Sequence, residues 1–146
     1  PDKTRLLRYE PPGRDSDGDE PPTFDFLGLT HYWARSHRGS WVIKRKTIRK
    51  RLIRKCKEIW QWCRQHRHDP VDEQFKRLRS RLAGYYNYHG IRCNFEALEV
   101  LYRETRKSWR YWLNRRSQRG KMPWKRFLEL EQEFSLPKPR IVHAWV

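Results

Sequence analysis

At Thr47 the apolar residues change their spacing, and that change divides the chain into a strand-forming part and a helix-forming part. Before it, TFDFLGLTHYWARS (residues 23–36) alternates, with Phe24 and Phe26 on one side and Thr23 and Asp25 on the other. Gly28 interrupts the alternation, as at a bulge or a close backbone approach. SHRGS (Ser36–Ser40) carries turn chemistry, and WVIKRK (Trp41–Lys46) returns as the next strand. Upstream, KTRLLRY (Lys3–Tyr9) reads as a strand entering the loop EPPGRDSDGDEPP, residues 10–22. The expected product is a small antiparallel sheet, which needs a partner to bury its apolar face.

From Thr47, suited to an N-cap, the period is about 3.6. Ile48, Leu52, Cys56, Ile59 and Cys63 share one helical stripe, with Ile53 and Trp60 beside it. Lys50, Arg54, Lys57, Gln61 and Arg64 follow the same spacing on the opposite side. HRHDP (66–70) breaks this helix, with Asp69 suited to a cap. A second helix shows Val71, Phe75, Leu78, Leu82 and Tyr85. A third, which Asn94 is placed to cap, runs on Phe95, Leu98, Leu101, Tyr102, Thr105, Trp109, Trp112 and Leu113. A shorter fourth begins near Pro123, with Trp124, Phe127, Leu128 and Phe134. The tail LPKPRIVHAWV reads as extended. The expected fold is therefore mainly α: a small antiparallel β-hairpin or sheet, then a basic bundle of three long helices and a short fourth, then an extended tail.

Charge supplies the functional signal. The 146 residues carry 34 Lys+Arg against 17 Asp+Glu, a formal net charge of +17. Residues 1–30 are net −3, so residues 31–146 are net +20. Between Lys44 and Arg67 there are 11 Lys/Arg and one acid, Glu58. A solvated face usually mixes signs; a nearly single-signed one points to a polyanion. Aromatic residues, with eight Trp, seven Tyr and six Phe, argue against disorder. Lys44, Arg45, Lys46, Arg49, Lys50, Arg54, Lys57 and Arg64 are the expected phosphate contacts, with Arg115, Arg116 and Arg119 secondary. Tyr85, Tyr86, Tyr88, Trp109 and Trp112 have the chemistry to stack bases, but their helical spacing favours packing.

Other chemistries find little support. His66, His68, His89 and His143 beside Cys56, Cys63 and Cys93 invite a metal reading, yet there is no CxxC pair and Cys56 and Cys63, seven apart, lie on the apolar stripe. The odd cysteine count reads as reduced thiols in a cytoplasmic protein. Asp25 stands between two phenylalanines, and Glu129, Glu131 and Glu133 suit a solvated helix face. No phosphate-binding glycine loop or nucleophile elbow is present. No catalytic residue and no metal ligand is assigned.

Several segments, in order, resemble group II intron reverse transcriptases. KTR at Lys3–Arg5, followed by a polar loop and TFDFLGLTHYW, resembles the last two conserved blocks of that family's polymerase domain. WVIKRKT leading into a basic helix, LAGYYNYHGI (Leu82–Ile91), WLNRRSQ (Trp112–Gln118) and the final PRIVHAWV resemble its thumb, or maturase-specific, domain. The resemblance spans nearly the whole chain; Leu29 stands where Phe is common, and Cys93 where Gly often precedes the Asn. It implies that 1–46 end a polymerase palm, 47–135 form the thumb, and 136–146 are the tail. It further implies that the fingers and the Tyr-Ala-Asp-Asp block, with its two metal-binding aspartates, precede Pro1, so that the chain is a fragment, inactive alone and without a cofactor. Mg²⁺ would serve the intact RNA-directed DNA polymerase. No His-Asn-His endonuclease module follows Trp145 in this sequence, as in the branch lacking one. The implied partners are group II intron RNA, whose splicing the domain assists, the template–primer duplex, and a palm on a separate or missing segment. Phe26, Leu27 and Gly28 would form a primer-grip-like platform, with Gly28 letting backbone approach the primer. Two rivals stand beside this reading: a standalone basic nucleic-acid adaptor that has lost the polymerase, and, more weakly, a membrane-surface protein. No membrane partner is expected, because the aromatics sit on seams a bundle needs.

Overall fold

Side-chain alternation and two chain reversals, at Gly28 and at Ser36–Ser40, build the sheet. The computed structural model describes residues 23–26 and 28–143. Strands β1 (Phe24–Phe26), β2 (Leu29–Arg35) and β3 (Trp41–Thr47) form one antiparallel sheet in the order β1-β2-β3. The stretch expected as a single strand bulged at Gly28 is therefore two strands. Phe26 pairs with Leu29, and Gly28 stands in the turn between them at φ +81°. That left-handed backbone suits a residue without Cβ, and it reverses the chain instead of kinking it. The strand expected over Lys3–Tyr9 lies outside the described residues.

Helices α1 (Arg49–Gln65), α2 (Val71–His89), α3 (Phe95–Leu113) and α4 (Trp124–Glu133) follow. This is the mainly α arrangement that the spacing of apolar residues anticipates. Ile59 and Cys63 of α1, Leu78 and Leu82 of α2, and Leu98 and Leu101 of α3 are all buried. Trp109 lies at the centre with no exposed surface, edge-on to Phe127 of α4 at 5.6 Å. Its indole N–H donates to Gln74 Oε1 (3.0 Å), and Gln74 Nε2 donates to the carbonyls of Asp69 (2.8 Å) and Arg67 (3.3 Å). A tryptophan buried whole usually finds such an acceptor for its N–H.

The caps at Thr47 and Asn94 differ from expectation because buried polar groups claim those side chains first. Thr47 ends β3 and is 5% exposed, so Ile48 takes the N-cap position of α1, without a side-chain cap. Asn94 does hold the N-cap position of α3, but its side chain turns to Thr47 and to the His89 carbonyl rather than to its own helix. Pro70, not Asp69, occupies the N-cap position of α2. An exposed helix end can use water, whereas a buried N–H cannot.

After α4 the chain is largely irregular, and it returns to the α2–α3 corner. Leu136 is buried, and the Tyr86 hydroxyl donates to the Pro137 carbonyl (2.9 Å). Val142 N–H and His143 N–H both donate to the Gly90 carbonyl (2.7 and 2.9 Å), and Ile91 and His143 form an isolated parallel bridge. A Cβ at Gly90 would collide with the Tyr86 carbonyl and crowd the Arg140 carbonyl at 3.0 Å, so glycine admits the tail here.

Candidate nucleic-acid interface

Helix α1 places its cations by periodicity. Once Ile59, Trp62 and Cys63 are buried, Lys50, Arg54, Lys57, Gln61 and Arg64 must face outward, and all five are exposed. Arg49 is exposed as well. Among the described residues the ion pairs are Lys76–Glu73, Arg106–Glu131 and Lys107–Glu104, and none takes a cation from α1. The ridge's charge is therefore not neutralised by an ion pair among the described residues. From Lys50 to Arg64 the ridge runs for about 21 Å, at 1.5 Å per residue.

The flanks of α1 differ. Toward α3, Trp60 packs on Tyr111 (4.5 Å) and Trp112 (5.3 Å), and arginines gather around these rings. Arg64 and Arg67 lie 5.8 and 5.7 Å from the Trp112 ring, and Arg115 lies 3.5 Å from that of Tyr111. Arg64 and Arg115, far apart in sequence, thus share one aromatic cluster. Stacking on a ring face leaves the guanidinium edge free to donate. Toward α2, Arg81 lies over Trp62 at 5.5 Å, beside a shallow groove that also takes in Arg54 and Lys57.

The remaining expected contacts do not all join this surface. Strand alternation splits Lys44-Arg45-Lys46: Arg45 pairs with His31, while Lys44 pairs with Tyr32 and the Lys46 ammonium lies 5.1 Å from the Tyr32 ring. Lys44 and Arg45 border a hollow of about 880 Å³ that includes Trp33, Trp41 and Arg92. Arg116 donates to the Asp69 carbonyl (3.1 Å), which ties the α3–α4 loop to the α1–α2 loop. Arg119 is exposed.

The residues expected as a primer-grip platform are also divided. Phe26 is exposed, Gly28 is buried, and Leu27 lies outside the described residues. The space above Gly28 is taken from within the chain: a Cβ there would stand 3.1 Å from Arg51 Nη1, and Ile48 N–H donates to the Gly28 carbonyl (3.2 Å). The close approach that Gly28 permits is thus to α1.

Packing claims Tyr85, Tyr86 and Trp109, as their spacing suggests, but Tyr88 is 64% exposed. Glu131, expected on a solvated face, receives two hydrogen bonds from Arg106 (2.6 and 2.9 Å). Burial pushes the thiols of Cys56 and Cys63 up to about 11 and about 12, so both are un-ionised at neutral pH. No group of His, Cys, Asp and Glu able to hold a metal occurs among the described residues. No helix among them is long and apolar enough to cross a membrane. Sequence reasoning passed over Arg51 and Lys55, which stand one turn apart on the α2 side of the ridge. Their i, i+4 spacing beside Trp62 was the available signal.

No protein-family model, curated protein or solved structure matches the chain.

Proposed function

We propose that this chain is an RNA-binding unit, the thumb or maturase-specific part of a group II intron reverse transcriptase. In that role it would hold intron RNA during splicing and grip the template–primer duplex in the intact polymerase. The observation that carries the RNA reading is the exposed α1 ridge of Lys50, Arg54, Lys57 and Arg64, which has no acidic partner among the described residues. Such a face meets phosphates electrostatically, and the deep, narrow major groove of RNA favours backbone and shape contacts over base reading. The maturase assignment rests on the sequence resemblance. A standalone adaptor is the second reading. Phe26 and Ile43, 59% and 38% exposed on the sheet, favour a chain whose sheet is covered by a further segment.

The test is equilibrium binding across a salt series, to a folded group II intron RNA and to an unrelated structured RNA of equal length. Affinity for both should fall steeply with salt, and each of Arg54→Ala, Lys57→Ala and Arg64→Ala should lower the log–log slope by about 0.7–0.9. The intron RNA should keep an advantage at high salt. Coincident curves would reduce the chain to an electrostatic clamp and remove the maturase reading.

A further inference from the structure

Where the last turn of α2 approaches the first turns of α1, the surface dips into a hollow of about 390 Å³. Arg51, Arg54, Lys55, Tyr85, Tyr88 and His89 line it. Three of these are cations, against the single acid Glu58, and among the described residues none of the three is in an ion pair. The aromatic side forms a stepped rack. Tyr85 is buried, His89 stacks on it at 4.2 Å and 28°, and Tyr88 meets His89 edge-on at 4.6 Å and 70°. Tyr88 is the outer step and presents its ring to solvent.

His89 adds a polar edge. Its Nδ1 is buried and has no hydrogen-bond partner among the described residues. Burial, reinforced by Arg51 and Lys55, lowers its pKa to about 4. At neutral pH the ring is therefore uncharged and adds no charge to the aromatic rack.

A duplex cannot use such a place, because its bases are already stacked and the hollow is at the small end of the range for compact ligands. An acidic peptide would use the cations but leave the rack idle. A single nucleotide swung out of its stack uses both. Resting on the RNA-binding reading above, we propose that this hollow takes one unpaired nucleotide, its base stacked on Tyr88 and its phosphate held by Arg51 and Lys55. Those two cations stand one helical turn apart, about 6 Å along the axis. RNA lying on the α1 ridge would reach the hollow through Arg54, which belongs to both.

The experiment compares a short perfect RNA duplex with the same duplex carrying one bulged adenosine, binding the full chain at fixed salt. The wild type should prefer the bulged duplex by about fivefold or more, the range of one base–aromatic stack. Tyr88→Ala should abolish the preference and leave affinity for the perfect duplex within about twofold, while Tyr88→Phe should retain it. Tyr88 is exposed, so its replacement leaves the core intact, and unchanged thermal melting verifies this. Equal affinities in the wild type, or a preference that survives Tyr88→Ala, would overturn the proposal. If neither duplex binds, the RNA-binding reading falls and takes this site with it.

Discussion

Thr47 and Asn94 exchange two hydrogen bonds across the junction of sheet and helices. Thr47 N–H donates to Asn94 Oδ1 and Asn94 Nδ2 donates to Thr47 Oγ1, each at 2.8 Å, and both residues are buried. Asn94 Nδ2 also reaches the His89 carbonyl (2.9 Å), so one amide joins the end of β3, the end of α2 and the start of α3. Asn94→Ala should cost about 2–3 kcal/mol, since it leaves a buried N–H unpaired. Asn94→Asp keeps the acceptor but sets carboxylate oxygen against the His89 carbonyl, and should also destabilise. Urea unfolding of both variants provides the check.

Gln74 is the second buried amide, 1% exposed, with its oxygen on Trp109 and its nitrogen on the α1–α2 loop. Gln74→Leu, close in size and apolar, would suit a helix seam by hydrophobicity alone. It should nonetheless lower stability by about 1–3 kcal/mol, because the indole N–H loses its acceptor inside the core. Gain of stability in a thermal melt would contradict this account.

Gly28 bears two burdens, its left-handed φ and the nearness of Arg51. Gly28→Ala should destabilise by about 1–2 kcal/mol through backbone strain, with an added cost from moving the guanidinium. Combining it with Arg51→Ala should recover only the second part. A double-mutant cycle separates the two, and full recovery would show that φ strain is negligible here.

His89 makes stability depend on pH. Its folded pKa of about 4 lies below the ordinary 6.5, so between those values the unfolded chain binds more protons. The stabilisation is complete above pH 6.5 and is lost as the pH falls toward 4. His89→Gln should therefore lose less melting temperature than the wild type on going from pH 7 to pH 5. Parallel curves would show that the ring titrates normally.

Legibility followed the range of the interaction. The seam of Leu52, Cys56, Ile59 and Cys63, and that of Leu78, Leu82 and Tyr85, could be read because one helix face is a property of consecutive residues. The same reading gave the outward ridge of α1. It failed where a residue's neighbour comes from elsewhere in the chain. Ile53, Phe95, Trp124 and Leu128 have apolar side chains at helical spacing, yet all four are exposed.

Sequence alone therefore determined the placement of a small sheet ahead of the helices, the helix-rich architecture and the sign of the exposed charge. Each depends on local spacing and composition, which packing does not alter. Only the tertiary structure decided that Thr47 would pair with Asn94 instead of capping a helix, that Gln74 would serve Trp109, and that Tyr88 would stand clear of the core. It also brought Arg64 to Arg115 and set Arg51 over Gly28. Those outcomes turn on contacts between distant segments. There a buried polar group must find a partner, and an outward one can be left to water or to a ligand.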